Sequence, residues 1–92
     1  MRYRIYALLD GDGAPVYVGR TKSKDLRRRL NNHFREGGNL DKLRWMLENR
    51  DCVEILEIDS ADTLEEANRL EQYWISRIKT LYDLPFNISI GG

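Results

Sequence analysis

The chain has 92 residues, 41% hydrophobic and 33% charged, with equal numbers of acidic and basic side chains and a formal net charge of zero. That length sets a single domain, residues 1–92, with a small core, and no apolar run approaches the roughly 20 residues of a membrane span, so a membrane partner is excluded. Cys52 has no second cysteine to pair with, which excludes a disulfide framework or a thiolate metal cluster and points to a reducing, cytoplasmic (intracellular) setting.

Met1-Arg2-Tyr3-Arg4 leads into strand-like alternation and not into a signal peptide. Tyr3 to Leu9 reads as a strand, rich in aromatic and aliphatic residues. Asp10-Gly11-Asp12-Gly13 follows, a turn signal because Asp-Gly supplies the positive φ of primed hairpin turns. Val16 to Arg20 is the returning strand, with Pro15 at its start, where a missing amide donor does least harm. If Gly11-Asp12 are the two loop residues, Asp10 pairs with Gly13 and Tyr6 stands directly opposite Tyr17. Both rings then project from one face of the sheet. On these residues alone the pair reads as cross-strand packing that stabilises the hairpin.

Ser23 is positioned to cap a helix from about Lys24 to Glu36, with Leu26, Leu30 and Phe34 as its apolar stripe and Gly37-Gly38 at its end. Asn39 caps a second helix, about Leu40 to Asn49, with Leu40, Leu43, Met46 and Leu47 expected to face inward. Cys52 to Ile58 reads as a third strand. Thr63-Leu64-Glu65-Glu66 is a capping box that opens a long helix, about Leu64 to Thr80. Pro85 lies in the loop beyond, and Asn87 to Ile90 reads as a short closing segment. The order β-β-α-α-β-α predicts an α+β fold, a small three-stranded antiparallel sheet flanked by helices.

The neutral total hides an asymmetry. Residues 1–50 hold twelve Lys/Arg and six Asp/Glu, a net of +6, and residues 51–92 hold three and nine, a net of −6. The basic density peaks at Arg20, Lys22, Lys24, Arg27, Arg28 and Arg29. This is a candidate phosphate-binding surface or, on charge alone, a solvated helix face.

Three helical positions sit against the polarity of their faces. Leu64, Ala67, Leu70, Trp74, Ile75 and Ile78 define the buried stripe of the long helix, and Glu71 falls inside it. A carboxylate there needs an arginine partner or a metal. Arg29 and His33 are spaced i, i+4 and flank the apolar stripe of their helix, from which both reach the rim of a groove beside the sheet. Two phenols, an arginine, an imidazole and a carboxylate are the parts of metal-assisted phosphoryl chemistry: one carboxylate for a hard divalent cation, an arginine for the charged transition state and a base for the attacking water.

At these positions the sequence resembles the GIY-YIG nuclease family. Ile5-Tyr6 and Tyr17-Val18-Gly19 match the two named triplets. Leu26-Arg27-Arg28-Arg29-Leu30-Asn31-Asn32-His33-Phe34 resembles the first helix, which carries the role of active-site arginine to Arg29 and that of a histidine one turn later to His33. Ala67-Asn68-Arg69-Leu70-Glu71-Gln72-Tyr73-Trp74-Ile75 resembles the helix of the metal-binding glutamate, Glu71, and Asn87 matches a late asparagine that supports the site. The resemblance implies Mg²⁺-dependent hydrolysis of DNA phosphodiesters to 5′-phosphate and 3′-hydroxyl ends, with Mn²⁺ able to substitute. Tyr6, Tyr17 and His33 stand as candidates for the base, with Lys22 as a neighbouring cation that eases loss of a phenolic proton. Arg20, Lys22, Lys24, Arg27, Arg28 and Asn87 stand as the substrate-binding set. Arg4 occupies the place of the first glycine of the first triplet. No element for reading base edges is visible, so targeting would come from a homodimer, a partner or a domain outside this chain. The alternatives are a non-catalytic nucleic-acid-binding module of the same fold and a structural domain in which Glu71 pairs with an arginine.

Overall fold

In a computed structural model that describes residues 2–87, the chain forms β1 (Tyr3–Leu9), β2 (Pro15–Thr21), α1 (Leu26–His33), α2 (Leu40–Glu48), β3 (Glu54–Ala61) and α3 (Leu64–Lys79). The strands make one antiparallel sheet in the order β2-β1-β3, an α+β fold. The closing segment expected at Asn87 to Ile90 lies outside the described residues beyond Asn87. Among the described residues no helix is long and apolar enough to cross a membrane.

Alternation along β1 divides the core. Ile5 and Ala7 face one side, where Val18, Ala61 and Leu84 join them under Ala67 and Ile75 of α3. Tyr6 and Leu8 face the other, where Val16, Val53 and Met46 of α2 close the interior and Leu26 and Leu30 of α1, with Phe34 just past its end, pack from the side. The sheet is therefore covered on both faces, and β2 is left as an outer strand.

The hairpin corrects the expected register. Its loop has three residues, Gly11-Asp12-Gly13, closed by the Asp10 amide donating to the Ala14 carbonyl at 2.8 Å. The positive φ, 83°, falls at Gly13, as in a turn that ends in a left-handed glycine. The Asp10 carboxylate holds the loop by accepting from the amides of Asp12 and Ala14, each at 2.9 Å. Leu9 pairs with Pro15 and Leu8 with Tyr17, so Val16 is an extra residue that bulges from the ladder. The longer loop and the bulge each slip the register by one. Tyr6 therefore pairs with Gly19 and not with Tyr17. Two slips restore the parity, so the tyrosines still share a face.

Other boundaries shift modestly. The N-cap of α1 is Asp25, whose carboxylate accepts from the amides of Arg27 and Arg28, and not Ser23. This starts the helix later than Lys24, and it ends at His33. Strand β3 runs to Ala61, beyond the expected Ile58. Asn39 and Thr63 cap α2 and α3 as their sequences require. On α2, however, Leu40 and Leu47 are 71% and 48% exposed, while Lys42 and Met46 are buried. The helix is rotated so that a lysine takes a place expected of leucine. Leu64 is likewise exposed at the start of α3.

Candidate active site

Tyr6 occupies the middle of the central strand, which carries its ring fully into the interior. Its neighbour across the ladder is Gly19, and this pairing explains the glycine. A Cβ at Gly19 would lie 2.6 Å from the Tyr6 hydroxyl oxygen and 2.8 Å from a Tyr17 ring carbon. The two phenols lie across a backbone that has no side chain to lift them. Their ring centroids are 6.3 Å apart, and the His33 ring stands edge-on to both, at 5.7 Å from Tyr6 and 5.4 Å from Tyr17.

His33, in the last turn of α1, is fully buried, deeper than a rim position. Its Nε2 lies 2.7 Å from the Tyr6 hydroxyl and its Nδ1 2.5 Å from Lys42 Nζ. Burial, and then the charges of Lys42 and Arg29, lower its pKa to about 3 against the pull of Glu36, so the ring is neutral at neutral pH. One turn back on α1, Arg29 donates from Nε to the Tyr6 hydroxyl at 3.1 Å and from Nη1 to Glu36 at 2.6 Å. Burial opposes the charge of Arg29, but Glu36 and Tyr6 together hold its pKa above the ordinary value. No partner for Nη2 is found among the described residues, and the side chain is 20% exposed. Nη2 of Arg29 is therefore available as a donor.

Burial pushes the Tyr6 phenol well above its usual range; Tyr17 adds to this, and Arg29 opposes it. Burial also raises Tyr17, and the next contribution is the charge of Glu71. Glu71 sits on the row Ala67, Glu71, Ile75 of α3, all buried. From there it meets the outer strand, where Arg20 Nη1 donates to its Oε1 at 3.0 Å. Burial raises its pKa in spite of Arg20. The site therefore straddles β2, with the phenols, His33 and Arg29 on one side and Glu71 with Arg20 on the other.

Asn87 braces that strand from its free edge. Its side chain accepts from the Val18 amide at 2.8 Å and donates to the Val18 carbonyl at 2.9 Å. It imitates one residue of a neighbouring strand, at the point where β2 would otherwise expose unpaired groups. Asn87, which the resemblance gives as a residue that supports the site, holds the strand that carries Tyr17. Lys22 also lies elsewhere than expected, 5.3 Å over the Tyr3 ring; the cations that lower Tyr17 are Arg29 and Arg20. Lys24, Arg27 and Arg28 are exposed, and Arg27 lines a separate groove of about 930 Å³ with Arg35 and Arg50.

Two residues of the cluster escaped sequence reasoning. Glu36 grips Arg29, and Lys42 abuts His33 while its Nζ lies 5.2 Å over the Tyr17 ring. Lys42 stands four residues before Met46 on one helical row. The test that singled out Glu71, a charge inside an apolar stripe, finds Lys42 as well once the stripe is drawn through Met46.

Glu71 fits a hard divalent cation. Among the described residues only its Oε1 is engaged, by Arg20, which leaves the second carboxylate oxygen as a hard donor in a partly dehydrated setting. No group of three or more His, Cys, Asp or Glu is found there, so the donor set suits an ion that keeps most of its waters and takes substrate oxygens, as Mg²⁺ does. It does not suit a closed protein cage.

A family profile described as the GIY-YIG catalytic domain matches residues 2–83. The UvrABC system protein C of Methylococcus capsulatus is 34% identical over 80 residues, which cover 87% of this chain and 12% of that protein. The protein of the same name from Francisella philomiragia subsp. philomiragia is 34% identical over 82 residues, 89% of this chain and 13% of that protein. The chain thus spans about an eighth of the length of these curated relatives. No solved structure matches it significantly.

Proposed function

The chain belongs to the GIY-YIG nuclease family, and on that premise we propose that it is a Mg²⁺-dependent endonuclease that hydrolyses DNA phosphodiesters to 5′-phosphate and 3′-hydroxyl ends. The observation that carries this reading is the convergence of Tyr6, Tyr17, Arg29 and His33 against one outer strand, with Glu71 on the other side of the same strand.

Arg29 binds the scissile phosphate through its guanidinium, which turns from Tyr6 toward the phosphate as the substrate enters. Its hydrogen bonds strengthen as negative charge grows on the non-bridging oxygens. Glu71 would hold Mg²⁺, with Mn²⁺ as a substitute, and the ion when bound supplies charge neutralisation to the phosphate and the departing oxygen. Arg20, paired with Glu71, supplies a second cation for the DNA backbone once the carboxylate holds metal. Tyr17, half-buried beside Glu71, orients the attacking water, and Tyr6 with His33 behind it receives the proton. Arg27, Arg28 and Lys24 supply non-specific backbone attraction, which weakens steeply with salt. The curated relatives are by name parts of a UvrABC system, which supports a partner protein or further domains as the source of targeting. Incubation of a labelled DNA duplex with Mg²⁺, followed by mapping of the ends, tests the reaction. Ligatable 5′-phosphate ends are expected, and 3′-phosphate ends would contradict hydrolysis in this direction.

The Arg20–Glu71 pair is also the contact that a purely structural carboxylate would make. Thermal melting separates the two roles. A Mg²⁺-dependent rise in melting temperature that disappears in Glu71→Gln supports metal binding, and a rise that persists would place the ion elsewhere.

A further inference from the structure

The site as read so far leaves one chemical difficulty. A buried tyrosine with a raised pKa is a poor proton acceptor, since a base works best with a pKa near the working pH. The residues behind it give the phenolic proton a path out. Tyr6, His33 and Lys42 form a continuous file, with Tyr6 Oη to His33 Nε2 at 2.7 Å and His33 Nδ1 to Lys42 Nζ at 2.5 Å. Tyr6 and His33 are 0% exposed and Lys42 is 5% exposed. Such groups need their hydrogen bonds satisfied from within.

Counting protons along the file leaves two arrangements in which every group is satisfied. In the first, Arg29 Nε–H donates to the Tyr6 hydroxyl, the hydroxyl donates to His33 Nε2, and His33 Nδ1–H donates to an uncharged Lys42 amine. In the second, the Lys42 ammonium donates to Nδ1, Nε2–H donates to the Tyr6 oxygen, and that oxygen, a phenolate, accepts from both His33 and Arg29. The two hold the same number of protons and the same net charge. An arrangement with one more proton, phenol and ammonium together, leaves the Tyr6 hydrogen without an acceptor, because His33 and Arg29 both donate to its oxygen. That state carries the cost of a buried donor left unmade. Burial lowers the Lys42 pKa from its ordinary value, against the pull of Glu36. The charged and titratable groups facing the file are Arg29 from α1, Glu36 from the segment after it and Tyr17 from β2.

We propose that Lys42 is the terminal proton acceptor of a buried relay, in which it receives the Tyr6 proton through His33 and so turns Tyr6 into the phenolate that deprotonates the attacking water. The step balances. The Tyr6 O–H proton moves to His33 Nε2 as the Nδ1 proton moves to the Lys42 amine. The phenolate then takes a proton from water, the hydroxide so formed attacks phosphorus, and the P–O3′ bond breaks to release an alkoxide that takes its proton from solvent to become the 3′-hydroxyl. The gain is one proton, held as ammonium on Lys42; with Arg29 drawn off to the phosphate the Tyr6 hydroxyl donates outward into the site, and loss of the Lys42 proton to solvent resets the file. Glu36, 3.5 Å from Nζ and 42% exposed, stabilises it, and a cleft of about 500 Å³ beside Tyr17, Glu36 and Lys42 leads it back to solvent. Arg29 covers the Tyr6 oxygen in this structure, so binding of its guanidinium to a substrate phosphate is what admits the water.

The relay rests on the nuclease reading, and its test separates the two. Single-turnover DNA cleavage in Mg²⁺ is followed from pH 6 to 9 for the unaltered protein, Lys42→Arg, Lys42→Met and Lys42→Ala, with melting temperature and DNA binding measured on each. Lys42→Arg keeps a cation that cannot become a neutral base, and Lys42→Met fills the space without a charge. The relay predicts that both fold and bind DNA but cleave about 100-fold more slowly, the lower end of what proton transfer contributes. It also predicts that ethylamine restores Lys42→Ala in proportion to its uncharged fraction. Cleavage by Lys42→Arg at near the unaltered rate, with the same pH profile, would overturn the relay alone. No cleavage by the unaltered protein would overturn the nuclease reading and the relay with it.

Discussion

The Tyr6 hydroxyl and the His33 imidazole are hydrogen-bonded at 2.7 Å in an interior that exposes neither residue. A neutral histidine there has a consequence for stability. The folded pKa of His33 is about 3 against an ordinary 6.5. Below pH 6.5 the unfolded chain takes up a proton that the folded chain refuses. Stability is therefore complete above pH 6.5 and falls as pH drops toward 3, by roughly 1.4 kcal/mol per pH unit. Melting curves between pH 7.5 and 5 are expected to show this loss in the unaltered protein and a much flatter response in His33→Gln. The Glu36 carboxyl, held below its ordinary 4.5, adds its own loss only at lower pH.

Gly19→Ala places a methyl group 2.6 Å from the Tyr6 hydroxyl and 2.8 Å from the Tyr17 ring. Both rings are packed against histidine, so neither yields cheaply. The substitution is expected to cost about 1–3 kcal/mol by overpacking and to reduce cleavage by more than tenfold, because the phenols move. Urea unfolding and single-turnover cleavage of the same variant measure both effects.

Asn87→Ala leaves the Val18 amide and carbonyl on the outer strand without the two bonds they make to Asn87. A loss of about 1–3 kcal/mol is expected. Hydrogen exchange of the Val18 amide is the local readout: rapid exchange is expected in the variant and protection in the unaltered protein.

Arg4 stands where the resembling family has its first glycine, and its Nη1 pairs with Glu57 at 2.9 Å; both side chains are substantially exposed. The pair ties β1 to β3 at the surface, and among the described residues Arg4 makes no hydrogen bond to either phenol. Arg4→Ala is expected to change stability by less than about 1 kcal/mol and to leave cleavage within about twofold, as measured by melting and by plasmid nicking.

Most of the fold was legible because its signals are local. Asn39, Thr63 and the apolar rows of α1 and α3 fix their helices without tertiary information. The hairpin register was not legible, because no local rule encodes the three-residue loop or the Val16 bulge, and only the parity of two slips kept Tyr6 and Tyr17 on one face. Arg29, His33 and Glu71 stood out as polar groups on or beside apolar stripes. Lys42 did not, because four apolar residues of α2 offered a competing stripe, and the preference went to leucines that the structure leaves in solvent. A buried lysine is costly enough that only its partners, His33 and Glu36, make the position intelligible, and both lie on another part of the chain.

The central claim is that Arg29 and Glu71 serve one hydrolytic site. Its most direct test is supercoiled plasmid incubated with Mg²⁺ and the unaltered protein, Arg29→Ala or Glu71→Ala, at matched folded concentrations. The account predicts nicking by the unaltered protein, its loss on chelation of the metal, and at least 100-fold slower nicking by each variant. Equal nicking by all three proteins, or none by any, would contradict it.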